Sequence, residues 1–483
     1  MDTRVDDRAI PLAVDLDGTL IAGDLLWEAV FALLRKAPWL VFLFPLWLAN
    51  GKAVFKHEIF SRVELAPDAL AYRADVVEWL QAEKAAGRNL ILATASCQVK
   101  AQQIADHLGV FTEALGSDRN TNLRSKAKLA LLIERFGDGG FDYAGNSADD
   151  VVLFDAARRA IVVAPDKVAG QWAAAHDVAP IVVPDRASFK DVVKMLRVHQ
   201  WAKNLLIAVP AILDHQFFQV GTLLAIAGAF FAFSFLASSV YIFNDLFDLA
   251  MDRKHPTKCK RPLPAGRIMP GTGVQIAIGL IAISVAISLF LPPLFGAVLA
   301  GYFVITTAYS LKLKRWLLID VLTLAGLYTV RVIAGIAVVA AAPSFWLLAF
   351  STFFFLSLAL VKRYVELDHA DIGEKERLSG RGYRPEDKEV IMQAGMASAF
   401  ASIVVLALYL DSEAIYALYA HPWMIWPLCP LVLYIIMRVW ILAKRKEFND
   451  DPVVFISTDW RSQLMVAFGA LLMLIAGFYP PGL

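Results

Sequence analysis

The chain has 483 residues, room for two domains, with 58% hydrophobic and only 19% charged residues, an apolar excess beyond the soluble average. Its formal charge of +1 gives no basis for nucleic-acid binding. Cys97, Cys259 and Cys429 show neither a pairing pattern nor metal-ligand spacing, which argues against disulfides and structural zinc.

The first residues lack a basic start followed by an apolar core, so no cleaved signal peptide is expected and the N-terminal part is placed in the cytoplasm. From Leu12 to about Pro184 short apolar runs alternate with amphipathic stretches. Leu12–Val14, Leu90–Ala93, Asp142–Ala144, Arg159–Val163 and Ile181–Val183 are predicted strands, and Arg73–Ala86, Val99–Leu108 and Ser125–Phe136 predicted helices. That alternation describes an α/β domain with a parallel, Rossmann-like sheet.

Asp15-Leu16-Asp17-Gly18-Thr19-Leu20 follows the first strand directly. Two carboxylates at the C-terminal end of a strand lie where α/β folds bind ligands. One can attack a phosphoryl group while the other exchanges a proton with the leaving oxygen. This run, with Thr94, Lys128 and Gly145-Asn146-Ser147-Ala148-Asp149-Asp150 in order behind it, resembles the four motifs of the haloacid-dehalogenase-like phosphatases. The resemblance spans residues 10–185 and implies Asp15 as nucleophile, Asp17 as acid/base, Thr94 and Lys128 as phosphate-binding residues, and Asp15, Asp17 and Asp150 as Mg²⁺ ligands. Lys126 is a rival for the role of Lys128. Asn146 departs from the aspartate common in that family, which leaves a regulatory or docking domain as the alternative. Between the first two motifs, Pro38–Ala49 carries Trp39, Phe42, Phe44 and Trp47. It is too short to span a bilayer, and the resemblance implies a helical cap there, over about residues 24–70. The expectation is a cap dipping into the membrane surface, with a buried core helix as the alternative.

Residues 1–185 thus form one expected domain, 186–203 a basic interfacial linker and 204–483 a membrane domain. Predicted spans lie near 204–214, 219–243, 272–291, 294–311, 317–341, 344–361, 390–410, 422–443 and 462–479, the first of them short. The loops after even-numbered spans carry Lys and Arg, among them Arg253, Lys254, Lys258, Lys312, Lys314, Lys375, Arg377 and Lys444. Those after odd-numbered spans, at 214–218, 292–293, 342–343 and 411–421, carry none. The positive-inside rule then gives a multi-pass protein of the inner, cytoplasmic membrane, with its N-terminal domain inside and Leu483 outside.

The second predicted span ends in Asn244-Asp245-Leu246-Phe247-Asp248-Leu249-Ala250-Met251-Asp252-Arg253, followed by His255-Pro256-Thr257-Lys258 and Arg261-Pro262. Asp245, Asp248 and Asp252 are spaced to share one helix face. Acids so close call for a cation between them, and Mg²⁺ takes oxygen ligands with substrate phosphates completing its shell. Lys258 and Arg261 are placed to neutralise phosphate oxygens. This motif resembles the first aspartate-rich motif of the UbiA superfamily of intramembrane prenyltransferases, over about residues 190–483.

Within that superfamily the continuation after Asp252, the opening His199-Gln200-Trp201-Ala202-Lys203-Asn204, and Tyr309-Ser310-x-Lys312-x-Lys314 with Asp320 and Arg331 look like the decaprenyl-phosphate phosphoribosyltransferases. Where most members carry a second aspartate triad, this chain reads Lys362-Arg363-Tyr364-Val365-Glu366. The resemblance implies phosphoribosyl pyrophosphate as donor, a polyprenyl phosphate as acceptor, and Mg²⁺ held by Asp245, Asp248 and Asp252. Asn244, Lys203, Asn204, Lys258, Arg261, Tyr309, Lys312, Arg331, Lys362 and Arg363 are the expected substrate-binding set. Arg331 has the alternative of pairing with Asp320, and Lys362 and Arg363 that of ordinary interfacial charges. The rival functions are an aromatic prenyltransferase using a prenyl pyrophosphate and a non-catalytic lipid-binding scaffold.

Overall fold

The structure, a computed structural model, describes residues 9–182, 187–214, 216–369, 381–419, 421–447 and 451–478. Lys375, Arg377, Leu483, Val183 at the end of the last expected strand and residue 186 at the start of the expected linker lie outside them. The chain divides into two units, residues 1–196 with 241–277, and residues 197–240 with 278–483. The loop bearing the acid motif therefore belongs with the N-terminal unit, a grouping the expected boundaries did not contain.

In the first unit β1 (Leu12–Val14), β2 (Leu90–Cys97), β3 (Glu113–Ser117), β4 (Asp142–Gly145) and β5 (Arg159–Val162) form one parallel sheet in the order β3-β2-β1-β4-β5. Leu12 pairs with Leu90 on one side and Asp142 on the other. Alternate residues enter different cores: Leu12, Val14 and Leu92 pack on one face, Ala13, Ile91 and Tyr143 on the other. That is why these strands read as continuous apolar runs. Four of the five expected strands are present. The last, at 181–183, is among the described residues only a single bridge from Val182 to Val163. β3 was not expected, because Glu113-Ala-Leu-Gly-Ser117 has no apolar run to mark it. The expected helices appear as Ala74–Ala85, Gln98–Leu108 and Lys126–Phe136.

After β1 the Leu25–Lys36 helix starts at an Asp24 N-cap, whose carboxylate accepts from the backbone of Leu26 at 2.9 Å and Trp27 at 3.2 Å. Arg35 and Lys36 suit its C-terminal dipole. Pro38 opens a 3₁₀ stretch, Pro38–Leu43, that runs into the short Phe44–Ala49 helix.

Among the described residues, eight helices are long and apolar enough to cross a membrane: Val220–Phe247, Pro270–Ser288, Pro293–Leu311, Ile319–Val339, Phe345–Asp368, Pro385–Leu410, Pro422–Lys444 and Trp460–Gly477. Exposed Leu224, Phe231, Val285, Leu294 and Val304 coat them with apolar surface, and this is a multi-pass membrane protein. The first expected span is not a membrane-length α-helix. It is an 11-residue 3₁₀ helix, Val198–Ala208, followed by a five-residue α-helix, Val209–Leu213. Pro210 and the short apolar run prevent a longer α-helix there.

Candidate active sites

Parallel pairing places the ends of β1, β2 and β4 along one edge of the sheet, and a cavity of about 560 Å³ opens there. Asp15, Asp17, Lys128, Asn146 and Asp150 line it. Gly18, at φ +80°, turns the chain so tightly that a Cβ would lie 2.2 Å from Asn146 Nδ2. Lys128 Nζ donates to Asp15 Oδ1 at 2.7 Å and to the Tyr143 hydroxyl at 2.8 Å. Of the two rival lysines, Lys128 is therefore the one on the acids, while Lys126 is exposed. Asp17 accepts from Leu25 N at 2.7 Å and from Ser96 Oγ at 2.8 Å. Asp150 accepts from Tyr143, the Ser147 hydroxyl and the backbone of Asn146 and Ser147. Thr94 is buried, its hydroxyl accepting from Ser96 N at 3.0 Å.

Burial pushes the Asp15 carboxyl up to about 6, against the downward pull of Lys128. Asp17 rises to about 7 through burial and the nearby Asp24 and Asp15 charges. Burial alone would lower Lys128, but Asp15 and Asp150 hold it above its ordinary value. The Thr19 hydroxyl lies 3.4 Å from Asp15 Oδ2 and 3.2 Å from Asn146 Oδ1. One hydroxyl hydrogen serves only one of these two acceptors. This surplus of hard oxygen acceptors fits a magnesium ion.

The acid motif is divided between two arginines. Arg261 Nη1 bonds both Asp245 Oδ1 and Asp252 Oδ2 at 2.9 Å, with Lys258 3.7 Å from Asp252. Both acids are 3% exposed. Asp248 instead pairs with Arg35 at 3.4 Å, and Asn244 is half-buried one turn before it. Among the described residues no three acid, histidine or cysteine side chains form a ready metal cluster. Two buried carboxylates meeting on one guanidinium nevertheless mark a place that requires positive charge, and their oxygens suit Mg²⁺. Arg253 lies on the same loop and reaches Glu28 through two bonds of 2.9 and 2.8 Å.

In the second unit Lys203 Nζ and Lys362 Nζ share one acceptor, Asp451 Oδ2, at 2.7 and 3.2 Å, and Tyr328 donates to the same carboxylate at 2.9 Å. Burial would raise Asp451, but the two ammonium groups hold it below the usual carboxylate range. Lys203 falls to about 8, because burial outweighs an anion it must share with Lys362. Beside them Arg331 donates to Asn204 Oδ1 at 2.8 Å and lies over the rings of Phe233, Tyr302 and Tyr328.

Two expectations are corrected here. Arg331 does not pair with Asp320, since its guanidinium is taken by Asn204, Leu327 O and Tyr302. Arg363 is neither an interfacial charge nor open to a phosphate. It is 0% exposed and paired with Asp320 at 2.9 Å and with Glu366, so its charge is consumed inside the protein. Tyr309 joins that cluster through Arg381 at 2.8 Å, while exposed Lys312 lies over the Trp316 ring. Asp451, Tyr328 and Tyr383, which donates to Asp320, were not singled out from sequence. Asp451 followed by Pro452 does read as a helix start, but nothing in its neighbourhood points to a lysine 248 residues earlier.

An apolar helical domain with paired acids at the end of a membrane helix defines a class of intramembrane transferase. The sequence pattern of the UbiA prenyltransferase family matches residues 205–458, more than half of the chain, and the chain belongs to this family. An uncharacterized protein of Sinorhizobium fredii is 37% identical over 99% of this chain and 93% of its own length. The decaprenyl-phosphate phosphoribosyltransferase of Mycolicibacterium smegmatis is 34% identical over 43% of this chain and 67% of its own. A solved UbiA homolog from Archaeoglobus fulgidus, bound to DMAPP and Mg²⁺, aligns with 16% identity and a TM-score of 0.46 over 59% of this chain and 98% of its own.

Proposed function

We propose that this chain transfers a 5-phosphoribosyl group from phosphoribosyl pyrophosphate to a polyprenyl phosphate, and that its sheet domain then removes the 5-phosphate to leave polyprenyl-phosphoryl ribose. One observation carries the choice of acceptor: buried Lys203 and half-buried Lys362 both reach the same carboxylate oxygen of Asp451, with the Arg331 guanidinium nearby. Cations outnumbering their anions in a membrane domain are costly, and an anionic lipid phosphate would relieve them. The similarity to a decaprenyl-phosphate phosphoribosyltransferase supports the same choice.

Mg²⁺ held by Asp245 and Asp252, with Asp248 beside them, would supply charge neutralisation to a departing pyrophosphate. Arg261 and Lys258 orient the same phosphates. The anomeric C–O bond to pyrophosphate breaks, the leaving group takes the electron pair, and an oxygen of the lipid phosphate forms the new bond. That oxygen is already ionised at neutral pH, so no strong base is required. In the sheet domain Asp15 attacks the 5-phosphorus and Asp17 protonates the departing ribose oxygen. Asp17 then takes a proton from the water that frees Asp15 and releases phosphate.

The N-terminal unit faces the cytoplasm in this reading. The first expected span, 204–214, is the short one in this reading, with Lys203 at its cytoplasmic mouth. Purified protein with Mg²⁺ and both substrates is expected to release pyrophosphate and then inorganic phosphate, with the two lipid products seen by mass spectrometry. Turnover of a prenyl pyrophosphate in preference to phosphoribosyl pyrophosphate would overturn the assignment.

A further inference from the structure

The segment following the Leu25–Lys36 helix has two faces. Trp47 is buried and Leu40 and Phe44 half-buried against the sheet-domain core, whereas Trp39, Phe42 and Leu46 are 65%, 82% and 59% exposed. A run of outward aromatic and aliphatic side chains of this kind marks an interaction surface. Its neighbours in the same unit identify the partner. Two turns of the preceding helix touch the ends of membrane helices. The Phe31 ring meets Phe247 edge-on at 5.4 Å, and Arg35 reaches the Phe247 carbonyl at 3.5 Å. Phe247 is the last residue of the Val220–Phe247 helix. At its other end the Trp27 indole closes on Gly271, where a Cβ would come within 2.9 Å. Gly271 is the second residue of the Pro270–Ser288 helix. The exposed segment therefore begins three residues beyond a helix fixed where two membrane helices leave the bilayer. That is the depth at which aromatic side chains settle.

The catalytic cavity opens toward the same border. Met269, the residue before Pro270, lines it with Leu26, Leu48 and Phe55, while Lys52 and Lys56 supply a basic edge and Arg124 is paired with Asp149. An apolar wall joined to a basic edge suits an amphiphilic phosphate ester.

We infer that Pro38–Ala49 seats in the lipid surface, and that the Asp15 cavity takes a lipid-borne phosphomonoester from the bilayer in preference to a soluble sugar phosphate. This rests on the phosphatase reading above. The test uses the full chain reconstituted in phosphatidylcholine vesicles, with a benzophenone amino acid in place of Phe42. Photolysis is expected to cross-link position 42 to phosphatidylcholine. Cross-linking to another protein copy, or to nothing, overturns the membrane seating.

In a second arm, the double variant Trp39→Ser with Phe42→Ser is assayed with two probes sharing one head group. The KM for farnesyl-phosphoryl 5-phosphoribose in vesicles is expected to rise at least about tenfold, with kcat/KM for ribose 5-phosphate unchanged. Equal change, or no change, for both probes overturns the inference. If the parent protein hydrolyses neither probe, the phosphatase reading itself fails, and the cross-link alone decides where the segment sits.

Discussion

The acids of the sheet domain and those of the membrane-helix loop handle charge in opposite ways. Asp15 and Asp150 gather on a buried lysine, Lys128, with Asp17 nearby, and burial lifts Asp15 and Asp17 toward neutral pH. Asp245, Asp248 and Asp252 each have a guanidinium at hand, from Arg261 or Arg35. The first arrangement suits groups that form bonds and trade protons, since a catalytic carboxyl works best near ambient pH. The second suits groups that grip and release charged ligands, because an exchangeable counter-charge is already present.

The sharpest way to break this contrast is to remove one acid from each set. Asp15→Asn keeps the size of the side chain but removes the proposed nucleophile, so inorganic phosphate release should fall on the order of 10³-fold or more. Pyrophosphate release should continue and phosphorylated lipid accumulate. If Asp15→Asn still releases phosphate at the parent rate, the covalent role is wrong. Asp245→Ala should have the reverse pattern, lowering pyrophosphate release by about 10²- to 10³-fold while leaving hydrolysis of ribose 5-phosphate intact. Loss of both activities in either variant would mean that the two acid sets are not separate machines.

The contrast also shows what a sequence reveals. The Asp15–Asp17 pair was legible because a short turn after a strand fixes both acids relative to the sheet, and the three acids at 245, 248 and 252 because helix spacing does the same. Lys128 was legible only as one of two candidates, settled when the fold turned it toward Asp15. What the sequence left hidden involves partners brought together from afar. Asp451 gathers Lys203 and Lys362 from distant segments, and Asp320 absorbs Arg363, so a cation that reads as available is spent. β3 escaped for a different reason: at a sheet edge, a strand containing Gly116 and Ser117 needs no apolar run.

Glu28 offers a smaller perturbation that sharpens the comparison, because it connects the two acid sets without belonging to either. Its carboxylate holds Arg253, the residue next to Asp252, and the side chains of this pair are only 6% and 9% exposed. Glu28→Ala leaves a buried guanidinium without its anion, which costs about 3 kcal/mol and should appear as a lower midpoint in chemical unfolding of the N-terminal unit. Glu28→Gln, whose single amide oxygen can keep one of the two bonds from Arg253, should lie between the parent and Glu28→Ala. An unchanged midpoint for both variants would show that the Arg253 contact contributes nothing to holding the acid loop.

The mildest test concerns the second unit and uses pH alone. Lys203 is charged below about 8 and neutral above it, since burial lowers its ammonium while Asp451 is shared with Lys362. A phosphate monoester completes its ionisation near pH 6, so from pH 7 to 9 the lipid stays a dianion and only the lysine changes. Attraction for the acceptor should be full at pH 7 and fall as pH rises through about 8, seen as a KM for polyprenyl phosphate that climbs up to about tenfold per pH unit. The KM for phosphoribosyl pyrophosphate should move less, because Arg261 and Lys258, not Lys203, lie beside the acids proposed to hold its phosphates. Lys203→Arg carries the same argument to its end: a guanidinium remains charged at pH 9, so the climb should disappear. Should the parent and Lys203→Arg give identical pH profiles, the lysine does not contact the acceptor phosphate.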